Sequence, residues 1–243
     1  MRRVLNIAHR GASADAPENT LPAFEAALAA GADALELDVH MAADGALVVI
    51  HDAILGRTTN GPGPVRVHTL AEMKRLDAGA WFGPAFAGTS VPTLEEVVAF
   101  SRGRARLFVE IKGGSDFYPG IELAVIRCLK EGGALREAVV MSFDHPALLA
   151  VRSAAPEVET AALLEGRPAD PPGVAAAARA GALVLEHQVI TARERALTAA
   201  AGLRLYAWTV DDEAQMRRLV DLGLDGIITN HPARLRRVLG GPA

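Results

Sequence analysis

The sequence predicts an α/β chain, a single (β/α)8 TIM barrel with a β-hairpin extension after the second strand and a small insertion. Three observations carry this prediction. Short apolar runs alternate with helical segments, the pattern of a parallel sheet covered by helices. Eight such strand–helix units fit within 243 residues, the usual size of such a barrel. No linker divides the chain, and the Pro-rich stretch 168–172 is short enough to be a loop, so one domain over residues 1–243 is expected.

The first strand is read at Val4 to Ala8. Thr20 is the expected N-cap of an Ala-rich helix to about Ala30, with Pro22 in its first turn, where helix N–H groups have no partner. The second strand, Ala34 to Val39, continues into a hairpin. Asp44-Gly45 predicts a two-residue turn, since both central positions of a type I′ turn need positive φ. That pivot pairs Met41 with Val48, Val39 with Ile50, and Asp38 with His51. Residues 53–92, rich in Gly and Pro, form the insertion, with one short helix at Leu70 to Leu76. Thr93 caps a helix through Ser101, and Glu96 completes a capping box.

Beyond this the alternation is regular. Strands are expected at Leu107–Ile111, Val139–Phe143, Thr160–Leu164, Leu183–Glu186, Leu203–Thr209 and Gly226–Thr229. The intervening helices are Gly120–Glu131, Asp144–Ala154, Gly173–Ala180, Thr191–Ala201, Asp211–Leu222 and Pro232–Leu239. Asp144 and Asp211 are the expected caps of their helices.

Composition narrows the function. A net charge of −4 argues against a general nucleic-acid binder or a stable membrane anchor. The one cysteine, Cys128, excludes an internal disulfide framework and a Cys-rich zinc site. No apolar run approaches a membrane span. Met1-Arg2-Arg3 is followed by only a short strand-like run before His9-Arg10-Gly11, too brief for a secretory signal, so a cytoplasmic location is expected. The residues carry no signal of oligomeric state.

The chemistry is expected at the C-terminal ends of the barrel strands. His9 and Arg10 end the first strand. Glu36 and Asp38 sit two apart in the second, and therefore on one face. Glu110 and Lys112 repeat that spacing in the third. Ser142, Phe143, Glu186, Trp208 and Asn230 end later strands, and the hairpin return adds His51 and Asp52. Charges inside apolar runs such as Leu35-Glu36-Leu37-Asp38-Val39 are costly to bury unpaired. A divalent cation shared by Glu36, Asp38 and Glu110 removes that cost, and an all-oxygen set suits Mg²⁺ or Ca²⁺. The competing arrangement is plain ion pairing of Glu110 with Arg10 or Lys112. His9 and His51 are the candidate acid and base. Arg10 and Lys112 set positive charge beside the metal, as a phosphodiester oxygen needs. His40 is set aside as pointing away from the cluster.

These residues fall into ordered motifs: His9-Arg10-Gly11, Pro17-Glu18-Asn19-Thr20, Glu36-Leu37-Asp38-Val39, Asp44-Gly45, Val49-Ile50-His51-Asp52, Arg57-Thr58-Thr59, Pro92-Thr93-Leu94, Glu110-Ile111-Lys112, Ser142-Phe143, Trp208-Thr209-Val210 and Gly226-Ile227-Ile228-Thr229. The ordered set resembles the glycerophosphodiester phosphodiesterases of the short cytosolic bacterial kind, from first strand to last helix. The resemblance implies a distorted TIM barrel that hydrolyses small-molecule glycerophosphodiesters to sn-glycerol 3-phosphate and an alcohol. It also implies acid–base roles for His9 and His51, metal ligation by Glu36, Asp38 and Glu110, and phosphate contact by Arg10 and Lys112. Glu18 and Asn19 are expected to brace the first loop, and Phe143 and Trp208 to wall the substrate pocket or close the barrel top. Asn230 stands where the family often has Asp. It is expected to act as a helix cap, with little effect from the difference. Two rivals are a phospholipase C- or D-like phosphodiesterase on the same barrel and a non-catalytic phosphodiester-binding barrel.

Overall fold

In the computed structural model, which describes residues 3–240, eight parallel strands close into a barrel. They are β1 (Leu5–Ala8), β2 (Ala34–Met41), β4 (Arg106–Ile111), β5 (Ala138–Ser142), β6 (Glu159–Leu164), β7 (Ala182–Glu186), β8 (Arg204–Trp208) and β9 (Gly226–Thr229). The ring closes where β1 pairs with both β2 and β9. β3 (Leu47–Val49) lies outside it, antiparallel to β2 on the edge away from β4, where β2 runs past the end of β1. Met1 and Arg2 of the expected chain start lie outside the described residues.

Strand alternation divides the side chains into two layers. On the outer face of β2, Leu35, Leu37 and Val39 pack with Leu107, Val109 and Ile111 of β4 beneath the helices. On the inner face, Ala34 and Phe108 join Ile7, Met141, Leu163, Val184, Tyr206 and Ile228 to fill the barrel. Higher on the same inner face the residues change character. Glu36 and Asp38 follow Ala34, and Glu110 follows Phe108. The barrel is thus apolar in its middle and acidic at the C-terminal mouth.

The helices are α1 (Leu21–Ala29), α2 (Leu70–Met73), α3 (Leu94–Ser101), α4 (Gly114–Phe117), α5 (Ile121–Glu131), α6 (His145–Ala154), α7 (Pro171–Ala177), α8 (Ala192–Ala200), α9 (Glu213–Asp221) and α10 (Pro232–Val238). Thr20 caps α1, and Thr93 with Glu96 forms the expected capping box on α3. On α3 the buried residues Leu94, Val97, Val98 and Ser101 recur at helical spacing, so one stripe faces the core. Among the described residues no helix is long and apolar enough to cross a membrane.

Several local expectations are corrected. The hairpin register is shifted by one: Val39 pairs with Val49, His40 with Val48 and Met41 with Leu47. The loop has three residues, Ala43-Asp44-Gly45, and only Gly45 takes positive φ, at +84°. A three-residue loop with glycine in the left-handed position is the next commonest hairpin. The insertion favours it by claiming the turn's polar groups. The Ala43 N–H donates to His68 C=O, and the Asp44 carboxylate accepts from the Leu70 N–H. In the insertion, α2 is shorter than expected, and Leu55, Val65, Met73 and Val91 pack with Val48 and Ile50 into a satellite core.

The cap of α9 is Asp212, not Asp211. Asp144 stands at the start of α6 without accepting a backbone hydrogen bond, its carboxylate lying against Gly114. α7 begins at Pro171, capped by Asp170, and α10 follows His231 rather than Asn230.

Candidate active site

The site grows from the register of β2 and β4. Asp38 and Glu110 are direct partners across this parallel pair, and Glu36 is one pleat below Asp38 on the same face. One carboxylate oxygen from each of the three lies within 4.8 Å of the others, and all three residues are at most 7% exposed. Three buried oxygen donors converging at this spacing match the demands of a hard divalent ion.

The electrostatics express the crowding. Burial, then the charges of Asp38 and Glu110, push the Glu36 carboxyl well above the usual range. Glu110 is raised to about 7 by burial and Asp38, against the pull of Lys112. Burial also pushes Asp38 upward, but Lys112 and Arg10 outweigh it and hold Asp38 ionised. Lys112 Nζ lies 2.6 Å from Glu110 and 3.0 Å from Asp38. The expected rival, an ion pair of Glu110 with Lys112, therefore coexists with the carboxylate trio in one cluster.

Arg10 and Asn19 approach Asp38 from the first loop. Arg10 Nε comes within 3.2 Å of Asp38, close enough for charge but without hydrogen-bond alignment. The Arg10 backbone N–H donates to Glu36 at 2.8 Å. Asn19 grips Asp38 twice, donating to its carboxylate at 2.8 Å and accepting from its N–H at 3.2 Å. Arg10 and Asn19 both take positive φ, 54° and 58°, uncommon for residues with a Cβ and a mark of a loop held under strain. Between them Gly11 has φ +85°, and a Cβ there would lie 2.6 Å from the backbone of Ala23. That contact explains the glycine of His9-Arg10-Gly11.

His9 and His51 both border an open pocket of about 320 Å³, together with Arg10, Glu36, Glu110, Lys112, Phe143 and Trp208. Each imidazole is held by its Nδ1, leaving Nε2 for the pocket. His9 Nδ1 lies 2.7 Å from Asn230 Oδ1. The amide cannot be reversed, because its Nδ2 donates to the Asp211 carboxylate at 2.7 Å and a carboxylate only accepts. His51 Nδ1 donates to Asp52 at 2.6 Å. Burial and the neighbouring Arg10 lower His9 to about 4. His51 is also lowered, by burial first, then by Lys112 and Arg10 against the opposing pull of Asp38.

His51 reaches this pocket for a reason other than the expected cross-strand pairing with Asp38. The shifted register sets Ile50 opposite Asp38, with the Ile50 N–H on Asp38 C=O at 3.0 Å. β3 has ended by then, so alternation no longer fixes the His51 side chain. Phe143 and Trp208 meet edge to face with ring centroids 5.4 Å apart and form one wall. Ser142 and Glu186 do not line the pocket. Ser142 faces outward and donates to Ile111 C=O.

Sequence reading missed two groups. Arg57 joins both histidine-bearing loops: its guanidinium contacts the Asp52 carboxylate at 2.6 and 3.1 Å and Glu18 at 2.8 and 2.9 Å. Glu18 in turn accepts from Arg10 at 2.9 Å. His40 shares the inner face of β2 with Glu36 and Asp38, as residues two apart on an unbroken strand must. The expectation that it points away is therefore corrected.

Comparison with known proteins identifies the family. The family model described as the Glycerophosphoryl diester phosphodiesterase family matches residues 9–234. A glycerophosphodiester phosphodiesterase of Caldanaerobacter subterraneus subsp. tengcongensis is 41% identical over 240 residues, covering 96% of each chain. The structure of a glycerophosphodiester phosphodiesterase from Agrobacterium tumefaciens superposes with TM-score 0.86 at 33% identity, covering 98% of this chain and all of that one. An Oleispira antarctica phosphodiesterase, solved in complex with the product sn-glycerol-3-phosphate, superposes with TM-score 0.92 at 29% identity over 96% of each chain.

Proposed function

The chain belongs to the glycerophosphoryl diester phosphodiesterase family, and from that premise we propose that it hydrolyses glycerophosphodiesters to sn-glycerol 3-phosphate and an alcohol. The observation that carries the reading is the cluster of three buried carboxylates, two of which, Glu36 and Glu110, line the pocket that His9 and His51 also border. Glu36, Asp38 and Glu110 would hold one divalent cation, Mg²⁺ or Ca²⁺. When bound, that ion supplies positive charge for the non-bridging phosphate oxygens.

The remaining steps belong to the chain's own groups. Arg10 and Lys112 border the same pocket and meet the negative charge that builds on phosphate oxygens during displacement. His9 and His51 present Nε2 from two different loops, one to take a proton from the nucleophile and one to give a proton to the departing alkoxide. At neutral pH the lowered His9 is uncharged, so it is ready to accept a proton. His51, whose protonated form Asp38 and the Asp52 hydrogen bond favour against burial, serves as the donor and is recharged between turnovers. Asn230 and Asp52 fix the ring tautomers that these roles require. The Phe143–Trp208 wall gives glycerol or the alcohol an apolar surface and narrows water access.

The test is release of glycerol 3-phosphate from glycerophosphocholine by wild type, His9→Ala and His51→Ala. The proposal expects each variant to lose about 10²-fold or more in kcat while melting like the wild type. Near-wild-type turnover in both variants removes the histidines from the mechanism.

A further inference from the structure

We propose that His40 and Tyr118 form a brace that positions His51 for catalysis, an inference that rests on the phosphodiesterase reading above. His40 is the last inner-face residue of β2 and is 4% exposed. It does not border the pocket. Its ring is nevertheless engaged at both nitrogens. Nε2 lies 2.9 Å from the backbone oxygen of His51, and Nδ1 lies 2.8 Å from the Tyr118 hydroxyl. A carbonyl oxygen only accepts, so Nε2 carries the proton toward His51. In the neutral ring Nδ1 then accepts from the Tyr118 O–H. The two rings also meet edge to face, with centroids 5.4 Å apart and planes at 75°. One imidazole is thus fixed in position, rotation and tautomer.

The placement of this brace gives it a catalytic consequence. The Ile50 N–H makes the last ladder bond of the hairpin return, so His51 lies where sheet geometry stops guiding the backbone. Among the described residues His40 is the partner of the His51 carbonyl. Asp52 holds the His51 ring and His40 holds its main chain, and together they leave the imidazole little freedom. Tyr118 anchors the other end from the loop that follows Lys112. That segment turns at Gly113 and Gly114, both at positive φ, into the short α4, and Tyr118 at its end pins it back against β2. A histidine buried this deeply is a costly choice for filling space alone, since an apolar side chain would pack there without needing partners. The brace accounts for a polar ring at this position.

Three variants test the brace: His40→Phe, which keeps a ring but neither hydrogen bond; His40→Gln, whose amide offers a donor and an acceptor; and Tyr118→Phe, which removes one hydroxyl. kcat and KM are measured on glycerophosphocholine, alongside urea midpoints. Because His51 acts on a proton in flight and does not hold the substrate, the brace predicts that His40→Phe lowers kcat about 10-fold or more with KM changed less than about twofold. Tyr118→Phe shifts kcat in the same direction by less, and His40→Gln recovers most of the loss. A kcat near wild type in His40→Phe, or a Gln variant as impaired as the Phe variant, overturns the brace.

If His40→Phe does not fold, Tyr118→Phe decides, and unchanged kcat there counts against the inference. A wild type without turnover sinks the phosphodiesterase reading instead. In that case the rate of His51 modification by diethylpyrocarbonate, read by mass spectrometry, tests the brace without substrate. Faster modification in Tyr118→Phe supports it, and an unchanged rate overturns it.

Discussion

His9 Nδ1 and Asn230 Oδ1 lie 2.7 Å apart although 221 positions separate them in the chain. The bond crosses the seam where β1 meets β9, so it forms only when the barrel closes. Asp211, fixed by the Thr229 hydroxyl and the Asn230 N–H, orients the amide that orients His9. Asn230 thus holds the His9 ring rather than capping a helix.

Replacing it separates position from charge. Asn230→Ala frees the His9 ring and should lower kcat about 10-fold. Asn230→Asp keeps the acceptor but adds a negative charge beside the imidazole. That charge favours the protonated ring, so the His9 pKa rises from about 4, and the acid limb of the kcat/KM profile should move to higher pH. The profile measured on a soluble diester decides. An acid limb that stays in place in Asn230→Asp means His9 is not the group it reports.

Arg57 supports both histidine loops through Asp52 and Glu18. Its side chain is 45% exposed, so its ion pairs contribute about 1 kcal/mol or less to stability. Arg57→Ala should therefore leave the urea midpoint nearly unchanged while lowering kcat about 10-fold. In a double-mutant cycle with Asp52→Asn the losses should not add, with a coupling of about 1 kcal/mol or more. Strict additivity would mean that Arg57 does not act on His51 through Asp52.

The carboxylate trio should couple metal to protons. Glu110 sits at about 7 in the folded chain against 4.5 ordinarily. Its pKa is raised on folding, so it contributes stability at low pH that is lost as pH rises through about 7. Metal needs the ionised form. Calorimetric titration with Mg²⁺ or Ca²⁺ should show tighter binding and less proton release at about pH 8 than at about pH 6. Without metal, the wild type should lose stability over that range and Glu110→Gln should not. A pH-independent affinity contradicts the assignment of Glu110 as a ligand.

Much of this was readable from residue spacing because a strand has a period of two. Glu36 and Asp38, or Glu110 and Lys112, must share a face, and apolar flanks place that face inside the barrel. The same rule places His40 with them. The hairpin register was harder to read. Asp44-Gly45 fits both a two-residue and a three-residue loop, and the choice is made by His68 and Leu70, more than twenty residues away. Asp211 and Asp212 look alike as caps from sequence alone, and only the position of Asn230 distinguishes them. Arg57 was visible as a motif member, but its link between two loops depends on how the insertion folds back.

The most direct measurement is glycerol 3-phosphate release from glycerophosphocholine by chelator-treated protein, before and after adding back Mg²⁺ or Ca²⁺, in wild type and in Glu36→Gln, Asp38→Asn and Glu110→Gln. The account predicts negligible turnover without metal, recovery in the wild type with one of the two ions, and no comparable recovery in the three variants. Full turnover in chelator, or full recovery in all three variants, would contradict it.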